Sequence, residues 1–234
     1  MPNVTAIIVC AGSSTRMGGT TSKQFIPLCG VPAVVYALKA FEAAQTISEV
    51  IVVCKAGDEG VFSSFVQEYS LKKVAAIVQG GQTRAESVNN GIAAASSKCT
   101  HFAIHDGARP LIKPDCINNA VECGIKTGAA AVGVKVKDTI KVIDENSTVV
   151  ATPPRASLVA VQTPQVFEKQ LYLNAVAAAA SSQTEFTDDC AIAEAFGAKV
   201  TITQGDETNI KLTTPTDIVF AEAILRNERG ENLK

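Results

Sequence analysis

The strongest constraint on the fold is an alternation of short apolar runs with longer amphipathic stretches. Six runs rich in valine and isoleucine have the length of buried strands; they are residues 4–10, 50–54, 74–78, 102–105, 129–134 and 199–203. Stretches of helical length lie between most of them, at residues 32–44, 58–69, 83–95, 114–127 and 168–181, and a capped last helix begins at residues 214–217. Such alternation predicts an α/β fold, in which helices cover both faces of a mostly parallel sheet.

One segment interrupts this alternation. Residues 135–155 contain two β-rich halves around the turn-forming residues 144–147 (DENS), which predicts a β-hairpin inserted into the α/β core. A hairpin of this size is not stable alone, so it must pack on its own domain or pair with another chain. Because the sequence has no internal repeat or linker, we expect one domain over residues 1–234, with 135–155 as an arm.

Charge and cysteine usage exclude several classes of protein. The chain has 21 basic and 23 acidic residues, so it lacks the positive surface of a protein that binds nucleic acid or anionic membranes. Two histidines, and seven cysteines without a C-x-x-C pair, argue against a structural zinc site. Scattered cysteines are typical of reduced thiols, and the first ten residues lack the pattern of a signal peptide, so we expect a soluble cytoplasmic protein.

Ligands of open parallel sheets bind at the carboxyl ends of the strands, so the residues that follow each strand are the most informative. After the first strand, residues 11–19 (AGSSTRMGG) form a loop of small residues that contains Arg16 and is followed by Lys23. Backbone N–H groups of such a loop can approach a phosphate, and the two cations add positive charge. The spacing matches neither the dinucleotide fingerprint nor the P-loop, and an ordinary flexible loop is the alternative.

Three later junctions carry polar residues as well. The glycine pair at 80–81 and Ser87 allow close approach to a base or sugar, although paired glycines are also common in plain turns. Asp106 can hold a metal that bridges phosphates and Arg109 can pair with an anion, but the two could instead form a local ion pair. Lys211 can meet an anion across the cleft, or can simply be solvated.

These junctions do not provide a nucleophile, a base and an orienting group. His101 and His105 lie on the fourth predicted strand, and we expect both to be structural rather than catalytic. What the junctions collect is a set of groups suited to phosphates.

Together the motifs resemble those of the 2-C-methyl-D-erythritol 4-phosphate cytidylyltransferases. In chain order they are residues 10–18 (CAGSSTRMG), 23–24 (KQ), 80–88 (GGQTRAESV), 105–110 (HDGARP), 138–141 (DTIK), 163–165 (TPQ), 187–189 (TDD) and 209–217 (NIKLTTPTD). The resemblance extends from residue 4 to about residue 225. It implies a single three-layer, Rossmann-like nucleotidyltransferase domain with a mostly parallel sheet, in which the inserted β-hairpin is a dimerisation arm.

The resemblance also implies a reaction. CTP and 2-C-methyl-D-erythritol 4-phosphate would give 4-diphosphocytidyl-2-C-methyl-D-erythritol and pyrophosphate. A phosphate monoester has a second pKa of about 6, so the attacking phosphate is ionised at neutral pH and needs no general base. In-line attack on the α-phosphate then depends on positioning and electrostatics. Mg²⁺ would be bound mainly through the CTP phosphates, without a metal site made of protein residues.

Residue roles follow from the same resemblance. Arg16 and Lys23 would stabilise the transition state at the α-phosphate. The residues expected to bind CTP are Ala11, Gly12, Ser13, Ser14, Gly81, Ser87 and Asp106. The residues expected to bind the polyol phosphate within one chain are Asp106, Arg109, Thr163 and Lys211, with Lys211 also holding the incoming phosphate. Thr139 and Arg155 would reach the site of a partner subunit through the arm, which makes Arg155 catalytic there and a homodimer necessary for full activity.

Two other functions remain open. A ribitol 5-phosphate cytidylyltransferase would use the same nucleotide motifs with a different polyol phosphate. A non-catalytic nucleotide-binding protein would bind CTP without releasing pyrophosphate.

Overall fold

The computed structural model describes residues 2–12, 22–180 and 186–231. Its strands in chain order are β1 (Val4–Val9), β2 (Pro27–Leu28), β3 (Val31–Pro32), β4 (Glu49–Cys54), β5 (Val74–Gln79), β6 (His101–Asp106), β7 (Ala129–Lys135), β8 (Val142–Ile143), β9 (Val149–Ala151), β10 (Val159–Glu168) and β11 (Thr201–Gln204). The α-helices are α1 (Ala33–Ala43), α2 (Glu59–Glu68), α3 (Arg84–Ala94), α4 (Pro114–Thr127), α5 (Lys169–Ala179), α6 (Asp189–Ala195) and α7 (Pro215–Glu228). Short 3₁₀ turns lie at Lys23–Phe25 and Arg155–Ser157.

Seven strands form the central sheet, in the order β11-β7-β10-β6-β1-β4-β5. Strand β10 runs antiparallel between β6 and β7, and the other neighbouring pairs are parallel. The predicted α/β fold with a mostly parallel sheet is confirmed. The sequence pattern missed β10 because Pro164 and polar residues interrupt it, and proline usually argues against a central strand. The register of β10 against β7 shifts between Val161 and Gln165, which accommodates this interruption.

Helices cover both faces of the sheet because side chains alternate along each strand. On β1, Ile8 points into a cluster formed with α1, α2 and α4, whereas Ile7 points into the cluster formed with α3, α5 and α6. Both isoleucines are fully buried. Burial of a side chain of this size stabilises the fold by about 1.5–3 kcal/mol, so these two layers hold the strand ends in fixed positions.

Local sequence signals set the helix ends. Pro114 is the first residue of α4, as predicted, and Gly128 ends that helix in the left-handed region at φ 82°. The first predicted helical stretch, residues 32–44, begins at Pro32, and this start is wrong by one residue. Pro32 pairs with Pro27 in the small β2–β3 hairpin and only caps α1. Glu168 likewise caps α5 rather than starting it.

The predicted arm is present as a hairpin of β8 and β9. The Asp144 carboxylate closes its turn by accepting hydrogen bonds from the backbone N–H groups of Asn146 and Thr148, both at 2.9 Å. The apolar side chains of both strands are exposed to solvent in the single chain. Among the described helices, none has the length and apolar character needed to cross a membrane.

Candidate active site

A cavity of about 270 Å³ opens at the carboxyl ends of β1, β5 and β6. Its walls come from residues that follow these strands, together with the start of α3 and the segment after β11. They are Val9, Ala11, Gly12, Lys23, Gln24, Gly81, Gln82, Thr83, Arg84, Ser87, Asp106, Ala108 and Lys211. The four junctions that the sequence singled out therefore meet at one place, as expected for an open parallel sheet.

The first junction is only partly described. Arg16, Ser13 and Ser14 lie outside the described residues. Lys23 lines the cavity from the 3₁₀ turn that it begins. The next residue, Gln24, is buried, and its Nε2 donates a hydrogen bond to the carbonyl of Cys10. This bond fixes the Lys23 segment to the end of β1.

The second junction is shaped by the amino terminus of α3. The Glu86 carboxylate accepts a hydrogen bond from the Gln82 N–H at 2.6 Å and completes a capping box with Thr83. The Ser87 hydroxyl donates to the carbonyl of Thr83 and accepts from the Gly81 N–H. A Cβ at Gly81 would lie 2.3 Å from the Cβ of Glu86, so the loop closes on the helix only with glycine. The glycine pair is therefore more than an ordinary turn.

Asp106 at the end of β6 lies between two cations. Its Oδ2 is 2.7 Å from Lys211 Nζ, and its Oδ1 is 3.3 Å from Arg84 Nη2. Burial alone would raise the pKa of this carboxyl, but Arg84 and Lys211 hold it well below its usual range. The alternative in which Lys211 is merely solvated is thus wrong.

The Arg109 side chain makes no direct ion pair with Asp106. Its Nη1 donates to the carbonyl of Asn209 at 2.8 Å, because the turn closed by the Arg109 N–H on the Asp106 carbonyl directs the side chain toward the segment after β11. The alternative of a local ion pair between Asp106 and Arg109 is therefore wrong as well. Asn209 is fully buried, and its Nδ2 donates to Gln162 and to the carbonyl of Thr163.

A second cavity of about 150 Å³ adjoins the first. Its charged and polar lining comprises Arg84, Asp106, Arg109, Gln162, Thr163, Gln165, Thr187, Asp188 and Lys211. Arg84, Asp106 and Lys211 line both cavities. The charged residues lining the two are Lys23, Arg84, Arg109 and Lys211 against Asp106 and Asp188. A chain with a formal charge of −2 thus concentrates positive charge at this place, which suits anionic ligands.

His105 is structural, as predicted. It is fully buried, with Nε2 3.1 Å from the carbonyl of Arg109 and Nδ1 3.0 Å from Thr163 Oγ1. A carbonyl only accepts, so Nε2 carries the proton and Nδ1 accepts from the Thr163 hydroxyl, which itself accepts from the Asp106 N–H. Burial lowers the pKa of His105 to about 4. Thr163 lines the second cavity. Its hydroxyl is already hydrogen-bonded to His105 and to the Asp106 N–H at the end of β6.

This histidine predicts a loss of stability in acid. The unfolded chain takes up the proton near pH 6.5 and the folded chain only near pH 4, so stability is lost as the pH falls through that window. The loss attributable to His105 is roughly 2–3 kcal/mol between pH 7 and pH 4.5. Urea unfolding of the wild type and of His105→Gln at several pH values gives the free energy of unfolding of each protein. The contribution of His105 is the difference between the two proteins in how steeply this free energy falls with pH. Equal slopes for the two proteins would contradict the assignment.

The arm residues lie elsewhere. Thr139 and Arg155 are exposed on the arm and at its base, and neither lines the two cavities of its own chain. The Arg155 Nη1 donates to the carbonyl of Lys137 at 2.8 Å. The single chain therefore does not bring these two residues to the site.

Sequence reasoning gave Arg84 and Asn209 no role, although both lie in motifs that carry the family resemblance. Arg84 is the first residue of α3, where a cation is disfavoured by the helix dipole, and this local conflict could have marked it as functional. The role of Asn209 could not be predicted from local sequence, because it depends on contacts with Gln162 and Thr163 on β10. Over the described ranges, no group of three or more His, Cys, Asp or Glu side chains is arranged to hold a metal ion.

Comparison with known proteins identifies the family. The sequence profile described as "IspD: 2-C-methyl-D-erythritol 4-phosphate cytidylyltransferase" matches residues 4–227. The chain belongs to this family. One curated member, from Caldanaerobacter subterraneus subsp. tengcongensis, is 44% identical over 96% of this chain and 99% of its own length. Another IspD relative, the 2-C-methyl-D-erythritol 4-phosphate cytidylyltransferase of Alkaliphilus oremlandii, is 44% identical over 95% of each chain.

Solved structures of the family share the fold. The 4-diphosphocytidyl-2C-methyl-D-erythritol synthase of Anaerococcus prevotii superposes with a TM-score of 0.85 at 30% identity, covering 96% of this chain and 99% of that one. The 2-C-methyl-D-erythritol 4-phosphate cytidylyltransferase of Thermus thermophilus gives 0.77 at 30% identity, covering 97% of this chain and all of the other. The Rossmann-like, three-layer architecture of the IspD family is thereby confirmed for this chain.

Proposed function

We propose that the chain joins CTP to 2-C-methyl-D-erythritol 4-phosphate, giving 4-diphosphocytidyl-2-C-methyl-D-erythritol and pyrophosphate. The observation that carries this proposal is the pair of adjoining cavities that share Arg84, Asp106 and Lys211. Two anionic substrates that bind in neighbouring cavities would bring their phosphates together at the shared cations. Family membership supplies the identity of the two substrates.

The chemistry requires no proton acceptor. An oxygen of the substrate phosphate, already ionised at neutral pH, forms a bond to the α-phosphorus of CTP, and the bond from that phosphorus to the bridging oxygen of the β-phosphate breaks. Pyrophosphate leaves with the electron pair. Lys23, together with Arg16, is proposed to stabilise the negative charge on the α-phosphate. Lys211 and Arg109 are proposed to hold the polyol phosphate beside it.

The nucleotide is proposed to occupy the larger cavity. Ala11, Gly12, Ser13 and Ser14 would cradle the triphosphate, and Gly81 and Ser87 would contact the cytidine. The Ser87 hydroxyl proton is already donated to the carbonyl of Thr83, so its remaining lone pair can accept a hydrogen bond from the ligand. A cytosine amino group is a donor of the required kind.

Magnesium is expected to enter as part of the CTP complex. Asp106, the carboxylate shared by the two cavities, is already paired with Arg84 and Lys211. A divalent ion would therefore take its ligands mainly from the triphosphate oxygens. Bound in this way, Mg²⁺ would offset substrate charge and help to align the leaving group.

The arm is proposed to pair with a second copy of this chain. Its exposed apolar side chains are Ile140, Val142, Ile143, Val149 and Val150, each with at least two fifths of its surface accessible. An isolated two-stranded hairpin is not stable in water, and such an apolar surface favours a protein partner. In a homodimer, Thr139 and Arg155 would complete the partner's site. Each subunit of this dimer, residues 1–234, is proposed to be a single domain.

A cytoplasmic location is also proposed. All seven cysteines are free thiols, which is the usual state in a reducing compartment.

The substrate assignment is tested by pyrophosphate release from CTP. We expect turnover with 2-C-methyl-D-erythritol 4-phosphate to exceed turnover with ribitol 5-phosphate by at least about a hundredfold in kcat/KM, because the site must match the hydroxyl pattern of one polyol. Preference for ribitol 5-phosphate would support the alternative transferase. Binding of CTP without pyrophosphate release, with either polyol phosphate present, would support the non-catalytic alternative.

A further inference from the structure

Within the motif of residues 187–189 (TDD), Thr187 and Asp188 line the second cavity, whereas Asp189 lies directly behind the Asp106 cluster and has no role in the proposed function. Asp189 is the first residue of α6 and is 1% exposed. Its Oδ2 lies 2.8 Å from Arg84 Nη2, and its Oδ1 accepts a hydrogen bond from the Tyr172 hydroxyl at 2.6 Å. Arg84 therefore bridges Asp106 at the site and Asp189 in the interior.

The position of Asp189 is fixed by the first turn of α6. Asp188 caps this helix by accepting from the Ala191 N–H at 2.9 Å. Gln165 on β10 donates to the Asp188 carboxylate at 2.7 Å and accepts from the Cys190 N–H at 3.0 Å. The helix start is thus tied to the central sheet, and the Asp189 carboxylate cannot follow a movement of Arg84.

The four charged groups alternate in sign from the cavity inward: Lys211, Asp106, Arg84, Asp189. If Lys211 pairs with a substrate phosphate, Asp106 keeps Arg84 as its counter-charge. Arg84 could itself swing toward the phosphate, because the planar guanidinium binds phosphate well. The buried Asp189 opposes this movement of Arg84. Without Arg84, the desolvation cost of the Asp189 carboxylate would no longer be offset by an ion pair.

We propose that Asp189 is a positioning residue for the reaction, which holds Arg84 on Asp106 so that Lys211 is available to the polyol phosphate. Tyr172 orients Asp189 for this task. The inference rests on the proposed roles of Asp106 and Lys211.

The direct test is Asp189→Asn, which keeps the shape of the side chain and removes its charge. We expect the KM for the polyol phosphate to rise about tenfold, with the KM for CTP within about twofold of the wild-type value. The CTP side is spared because the Gly81 loop is held by Glu86 and Ser87, independently of Asp189. Glu194→Gln is the matched control, since it removes the same charge from an exposed position of the same helix.

Three further variants complete the test. Tyr172→Phe removes only the hydrogen bond to Asp189 and should raise the KM for the polyol phosphate about threefold; it decides the matter alone if Asp189→Asn does not fold. Because Asp189 is proposed to act through Arg84, the double variant Arg84→Gln/Asp189→Asn should be no slower than Arg84→Gln. Unchanged KM values, an equal rise in both KM values, or additive effects in the double variant would each overturn the proposal.

The same series separates this inference from the proposed function. If Lys211→Met leaves kcat/KM for the polyol phosphate unchanged, the proposed site fails whatever Asp189 does. If Lys211→Met is severely impaired while Asp189→Asn behaves like Glu194→Gln, only the positioning role fails.

Discussion

Replacing Lys211 with methionine should lower kcat/KM for the polyol phosphate by about a hundred- to a thousandfold, as expected when one electrostatic contact to a reacting phosphate is removed. Methionine keeps the unbranched stem and removes the charge. The loss is large for two reasons. The substrate phosphate loses a cation, and the Asp106 carboxylate, whose side chain is 13% exposed, keeps only Arg84 to offset its repulsion of the phosphate.

Steady-state kinetics with each substrate varied in turn measure this effect. Lys72→Met is the matched control, because Lys72 is exposed and precedes the amino end of β5, whereas the cavities lie at the carboxyl ends of the strands. It should retain wild-type kcat/KM. A Lys211→Met protein within threefold of wild type would remove Lys211 from the reaction.

The second large effect concerns the arm. Homodimers of Arg155→Ala and of Lys211→Met should each have about 1% of wild-type activity or less, consistent with the loss of one electrostatic group. A heterodimer of the two, purified through a different tag on each chain, should recover about half of the wild-type activity, because a two-fold dimer with shared sites then has one complete site. If each site were made from one subunit alone, two inactive chains could not recover activity in a heterodimer.

The control pairing is Lys211→Met with Lys23→Ala. Both residues line the same cavity of one chain, so each subunit of this heterodimer carries one defective site and activity should not recover. If the Arg155→Ala heterodimer is as inactive as its parents, the site is not shared through the arm. Recovery in the control pairing would equally contradict the proposed division of residues between chains.

The sequence predicted the layers of the fold because period and length are local properties. Alternating apolar runs specify buried strands wherever they occur, and capping signals such as Pro114 or Thr83 act within one helical turn. Strand β10 escaped this reasoning, since Gln162, Thr163 and Gln165 are polar yet buried. Their burial is possible only because Asn209, His105 and Asp188 satisfy them, and these partners come from distant parts of the chain.

The site residues, too, could be predicted only where local sequence determines their position. The strand-end rule located Asp106, Lys211 and the glycine pair, because a parallel sheet gathers such residues at one edge. The partners of Asp106 could not be read in the same way. Arg109 is three residues away, and an ion pair between the two was an obvious possibility, whereas the ion pairs that form involve Arg84 and Lys211. Which cation pairs with Asp106 depends on the direction in which the turn after β6 points each side chain.

Strand β10 couples the arm to the site, so that changes in the length of the arm during evolution affect both. It begins at Val159, just after the arm, continues past Thr163 and Gln165 in the second cavity, and ends in the middle of the sheet at Glu168. One stretch of ten residues therefore connects the surface proposed to meet a second subunit with residues that hold the substrate cavity. An insertion or deletion near the base of the arm would displace the cavity wall along with it. The arm is consequently hard to lengthen, shorten or exchange as an independent module, and its length should vary less among relatives than that of the loops at the amino ends of the parallel strands.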